Sequence, residues 1–143
     1  MDRRDTALLA LSLLLMSASC SHRQNSRSEE QEGLETTIRS CIGLTFQECL
    51  DKLRLGKIKL KAFVDEPPLM LRGMSFGFES GEDVMILIDE RDPLFKDINH
   101  ERSWNYEQLL MAKVGGIDYI AANRGMHIVL GNIPWHWGKQ EKD

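Results

Sequence analysis

Little in this sequence announces a chemistry. It holds no phosphate-binding glycine loop, no His-Glu-x-x-His and no Cys-x-x-Cys, so nothing points to a nucleotide-binding enzyme, a zinc protease or a dithiol redox centre. Positive charge does not dominate. Eighteen Lys and Arg stand against 22 Asp and Glu, a net charge of −4, and a mildly acidic chain lacks the electrostatic footprint of a nucleic-acid binder. Cysteine is scarce, three in 143 residues, which leaves room for one internal bridge at most. There is no internal repeat. Beyond Met16 no long apolar run follows, so no transmembrane helix is expected in the rest of the chain.

What is present starts at the N-terminus. Met1-Asp2-Arg3-Arg4-Asp5 is charged, Thr6 to Met16 is apolar and leucine-rich, and Ser17-Ala18-Ser19 are small. Charged, apolar, small is the layout of a secretory signal peptide over residues 1–19, too short to span a bilayer. Leu13-Leu14-Leu15-Met16-Ser17-Ala18-Ser19-Cys20 resembles a bacterial lipoprotein signal. The family usually carries leucine three places before the cysteine, where this chain has Ser17. The resemblance implies cleavage before Cys20 and lipidation of its thiol and amine with palmitate-type chains. It also implies an outer-membrane location facing the periplasm, since Ser21 rather than aspartate follows. Two or more acyl chains anchor stably, each buried CH₂ contributing ~0.8 kcal/mol. The alternative is general signal-peptidase cleavage, for which Ser17 and Ser19 are suited, giving a secreted or periplasmic soluble protein.

With Cys20 assigned to lipid, Cys41 and Cys49 remain. In an oxidising compartment they are a candidate disulfide; the alternative is two buried, reduced thiols. Residues 20–33 hold Ser, Gln, Asn, Arg and Glu almost without apolar residues, which reads as the lipidated cysteine plus a disordered polar tether. Residues 34–138 are one domain's worth of chain, and 139–143 a polar tail.

Within the domain, Thr45 and Glu48 form a capping box. Phe46, Leu50 and Leu53 make an apolar stripe, and Gly56 suggests the stop. Ile58, Leu60, Ala62 and Val64 alternate with Lys57, Lys59 and Lys61, a half-buried strand with a solvated lysine row. Asp65-Glu66-Pro67-Pro68 breaks it. In a second strand over 69–79, Met70, Met74, Phe76 and Phe78 face one way and Gly73, Ser75 and Gly77 the other, a small-residue face that lets a helix or backbone pack closely. Asp83 to Glu90 is a third strand, apolar on both faces and therefore central. Residues 91–102 read as a polar connection. Asn105 and Gln108 open a second helix along Tyr106, Leu110 and Val114, ended by Gly115-Gly116. Residues 117–122, the turn Asn123-Arg124-Gly125 and residues 126–133 form a final hairpin. The expectation is an α+β domain, a mainly antiparallel sheet of about five strands with two helices packed on it.

No residue set declares itself catalytic. His100, His127 and His136 share no metal-ligand spacing, so no metal or other cofactor is expected. His127, alternating with apolar neighbours, reads as a surface or hydrogen-bonded histidine. The acidic runs Asp65-Glu66, Glu79, Glu82-Asp83 and Asp89-Glu90-Arg91-Asp92 read as solvated turn charges. Trp135 and Trp137, two apart around His136, point the same way in an extended segment; the first reading is that one or both pack on the sheet and close the core, the alternative that they are partner-binding residues. Gly43-Leu44-Thr45-Phe46-Gln47-Glu48 with Leu50 resembles the helix opening of small lipoproteins of the outer-membrane barrel-assembly machinery and of β-lactamase-inhibitor-like folds; no functional residue is carried over from them. The expected function is a non-enzymatic, lipid-anchored envelope protein that binds a protein partner or assists envelope assembly, an immunity or inhibitor role being one form of it. The rival is a small periplasmic hydrolase acting on glycan or peptide. A deep pocket joining His100 or His127 to a carboxylate favours the rival; a shallow exposed apolar face favours the partner reading.

Overall fold

The computed structural model describes residues 28–66, 70–101, 104–131 and 133. The chain clusters into two units, Met1–Leu34 and Glu35–Asp143. Of the first, residues 28–34 are described; they are helical and mostly exposed. Residues 28–39 are helix α1. Then come α2 (Phe46–Leu53), β1 (Ile58–Glu66), β2 (Met70–Phe78), β3 (Asp83–Ile88), α3 (Pro93–Glu101), α4 (Tyr106–Leu109), β4 (Val114–Ile120) and β5 (His127–Gly131). The strands form one antiparallel sheet in the order β1-β2-β3-β4-β5. This is the small α+β domain that the alternating patterns predict, and β3 is its central strand.

Four local readings are corrected. The polar stretch expected to be a disordered tether is helical from residue 28. Glu29, Glu30 and Glu32 lie in the first turns, where the macrodipole favours carboxylates. Later in α1, Arg39 pairs with Glu35 one turn away at 2.9 Å, and Ile38 is fully buried. Second, α2 has the predicted capping box, with Thr45 N–H donating to Glu48 at 2.8 Å and Glu48 N–H donating to Thr45 Oγ1 at 3.2 Å. It ends earlier than Leu55, because Arg54 itself takes the left-handed C-cap conformation (φ 51°).

Third, the polar connection contains α3. Asp92 Oδ1 accepts from Leu94 N–H at 3.0 Å and Pro93 sits at the first helical position, a pairing that pre-organises a helix start. Ile98 is buried. Asn99 ties the helix to β2, accepting from Leu71 N–H at 2.7 Å and donating to Leu71 O at 3.2 Å. Fourth, the second predicted helix is only the single turn of α4, and Val114, Gly115 and Gly116 belong to β4. Gly115 is there for space: a Cβ on it would lie 2.7 Å from Asp89 Cα.

Register sorts the side chains into rows that run across the sheet. On one face stand Lys61–Phe76–Val84–Tyr119–Ile128 and Phe63–Met74–Ile86–Ile117–Leu130. Phe76, Val84, Ile86 and Ile117 are fully buried, as are Phe46, Cys49 and Leu109 of the helices. The α4 segment lies on this face: Lys61 Nζ sits 3.7 Å from the centroid of the Tyr106 ring, and Phe63 meets Trp104 edge-on at 5.8 Å. The lysine row of β1 is therefore not simply solvated, since Lys61 is on the helix side and spends its charge on an aromatic face. A register shift after Val64 leaves Arg72 as an extra residue on β2. It turns Leu71 into the core and Met70 outward, against the expected grouping of Met70 with Met74.

Candidate functional site

The other face carries the rows Val64–Gly73–Leu87–Gly116–Gly131, Ala62–Ser75–Met85–Asp118–Val129 and Leu60–Gly77–Asp83–Ile120–His127. Over the last two rows lies a half-open cleft of about 560 Å³. Its lining is mostly apolar, with Ala62, Val64, Met85 and Ile120 as walls and Ser75, Asp83, Asp118 and His127 as polar groups. Of the small residues of β2, Ser75 lines this concavity. The expected close approach of backbone occurs at Gly73, where a Cβ would lie 2.9 Å from Leu87 Cα.

One end of the cleft is charged. Asp118 is 8 % exposed, and His127 reaches it diagonally from the neighbouring strand, Nε2 to Oδ1 at 2.6 Å. This is the next-nearest cross-strand position, within reach of a ring. His127 keeps 44 % of its side chain exposed, in line with a hydrogen-bonded surface histidine. Beside the pair, Asp83 is matched by Arg124 at 2.8 Å; Arg124 stands in the β4–β5 turn in left-handed conformation (φ 56°).

The cleft thus joins His127 to a carboxylate, while remaining half-open. A histidine oriented by an aspartate is two parts of a nucleophilic site. The third part would be Ser75, which lines the same cleft. Gly73-Met74-Ser75-Phe76-Gly77 even has the Gly-x-Ser-x-Gly spacing, passed over when read only as a small-residue face. The confirming context of that motif is a sharp strand-to-helix turn, whereas Ser75 lies in the middle of β2. With strands ~4.8 Å apart, Ser75 is two strands from Asp118 and three from His127, with Met85 between. No nucleophile-to-base hydrogen bond is possible there.

The remaining sequence candidates lie elsewhere. Cys20, Trp135, His136 and Trp137 are outside the described residues. Cys41 and Cys49 are free thiols, both fully buried, and hydrogen-bonded to each other. That bond favours the Cys41 thiolate, pulling its pKa down, and together with burial pushes Cys49 up. Cys41 Sγ also donates to Thr37 O at 3.4 Å. His100 is exposed in α3.

The acidic runs are absorbed in local pairs. Arg72 bridges Glu66 at 2.6 Å and Glu90 at 2.5 Å, Lys57 meets Glu79 at 3.1 Å, and Arg91 holds Asp89 below the usual carboxylate range. Among the described residues no group of three or more His, Cys, Asp and Glu could hold a metal ion, and no helix is long and apolar enough to cross a membrane. Asp118 was missed by sequence reasoning. Its signal was a lone carboxylate between Ile117 and Tyr119 in an apolar strand, two hairpin positions from a histidine. No family model, no curated protein and no solved structure matches this chain.

Proposed function

We propose that this is a lipid-anchored cell-envelope protein, exported by residues 1–19, acylated on Cys20 and held at the outer membrane facing the periplasm. Its domain binds a protein partner through the open face of the sheet. The cleft carries this reading: a half-open, mostly apolar concavity of about 560 Å³ beside the exposed side chains of Leu60 and Val129. Such a surface is a recognition surface more readily than a reaction chamber, because it does not exclude water. We include the Cys41–Cys49 bridge in the proposal, supported by two thiols buried in contact with each other. A photo-crosslinking residue placed at Ala62 or Val129 in intact cells tests the partner reading. One reproducible envelope-protein adduct is expected, absent from a control at Met111; adducts at none of the cleft positions refute it.

His127 and Asp118 support a second reading, a small hydrolase of envelope glycan or peptide in which His127 activates water. Turnover by the purified protein that disappears in His127→Ala and survives Ser75→Ala puts this reading first.

A further inference from the structure

We propose that the partner inserts a lysine or arginine side chain into the cleft, its aliphatic stem along Ala62, Met85 and Ile120 and its cation against Asp118. This rests on the partner reading above and specifies its chemistry. Three observations carry it.

The first is charge. Asp118 is more than nine-tenths buried, and burying a carboxylate is costly unless its charge is answered. His127 answers Oδ1 with a hydrogen bond at 2.6 Å, and among the described residues no other side chain pairs with the carboxylate. Asp83 is answered by Arg124. The cleft end therefore keeps one carboxylate oxygen of Asp118 unanswered, next to the apolar walls of Met85 and Ile120.

The second is shape. Long cationic side chains lay an apolar stem on apolar surface and deliver the charge at its tip. The walls and the charged end of the cleft have the same order, Met85 lying opposite Asp118 on β3 and Ile120 two residues along from it on β4.

The third is what the site rejects. An anionic group meets Asp118 and Asp83 at one end. A wholly apolar group seals the Asp118 charge under hydrocarbon without compensation. A cation is the one class that gains from both the walls and the end.

The test uses full-length protein in detergent micelles with ¹³C-methyl methionine, Met85 serving as reporter. Three tripeptides, acetyl-Val-Xaa-Val-amide with Xaa lysine, norleucine or glutamate, are titrated in. The lysine peptide is expected to bind about tenfold tighter than norleucine, the order of effect of one charged hydrogen bond, with glutamate weakest. Asp118→Asn should bring lysine down to norleucine. His127→Gln, which keeps a donor beside an unchanged carboxylate, should preserve the lysine preference and covers the case in which Asp118→Asn fails to fold. Equal or tighter binding of glutamate or norleucine, no binding of any peptide at the Met85 reporter, a lysine preference unchanged in Asp118→Asn or one lost in His127→Gln overturns the inference. Crosslinking from Ala62 separates the two claims: an adduct without lysine preference sinks the cation and keeps the partner, and lysine preference without an adduct does the reverse.

Discussion

On the helix side of the sheet, Phe76, Val84, Ile86 and Ile117 are fully buried. On the open side, the same strands contribute Ser75, Met85, Asp118 and Ile120 to a cleft. Neighbouring residues thus have opposite duties. Ile86 fills the core while Met85, one residue before it, lines a cavity wall. The contrast teaches that this fold covers one face and, on the other, buries the Val64–Leu87 row while leaving the two rows under the cleft free to accommodate something else. In a small domain with a single core, most of the stabilisation comes from the covered side, and the uncovered side can then keep a buried carboxylate that stability alone would not retain.

The largest effect expected from this contrast is between those two neighbours. Ile86→Ala removes a fully buried side chain and should cost about 2–5 kcal/mol. Met85→Ala, half-exposed in the cleft, should cost about 1 kcal/mol or less. Denaturant unfolding of both variants measures it. Equal losses would mean that the open face is as much a core as the helix face, and the recognition reading of the cleft would lose its footing.

The second effect sharpens the helix side. Cys41 follows α1 and Cys49 lies in α2, so a bridge would lock the end of α1 to α2. Closing so short a loop contributes about 2–3 kcal/mol in the chain-entropy account. Protein isolated from the envelope without reductant should show no free thiol at Cys41 or Cys49 on titration after denaturation, and should lose that stability when reduced. Two titratable thiols would leave the pair as an ordinary buried contact, with packing alone holding the helix layer.

What was legible in the sequence follows the same division. The buried alternation of β3 and the stripe and cap of α2 could be read because each is local, a period or a spacing within one element. The faces of β1 were misjudged because its covering is decided by a distant segment: Trp104 and Tyr106 bring Phe63 and Lys61 to the helix side and leave Leu60 and Ala62 on the other. Gly115 and Gly116 looked like a helix stop, and only the packing of Asp89 against β4 shows why the strand needs the first of them. The cleft was least legible of all. Its parts lie on β1 to β5, and neither Asp118 nor its meeting with His127 exists until register aligns the last hairpin.

The smallest effect concerns how the helix layer is fastened, and it has a definite sign. Glu48 is exposed, yet the backbone N–H of Thr45, and then its hydroxyl, hold the carboxyl below its ordinary pKa. A pKa lowered on folding means that the contribution is fully present above the ordinary carboxylate range and is lost as pH falls through the folded value. Glu48→Gln keeps an acceptor for the cap but removes the ionisation. The stability gap between wild type and this variant should therefore be open at pH 7 and closed at acid pH. Asp89, also lowered, by Arg91, titrates in both proteins and drops out of the difference. A gap that stays constant with pH would show that the capping box acts by shape alone. The open face is a built-in control, since a cleft substitution such as Met85→Ala should leave that pH-dependent gap untouched.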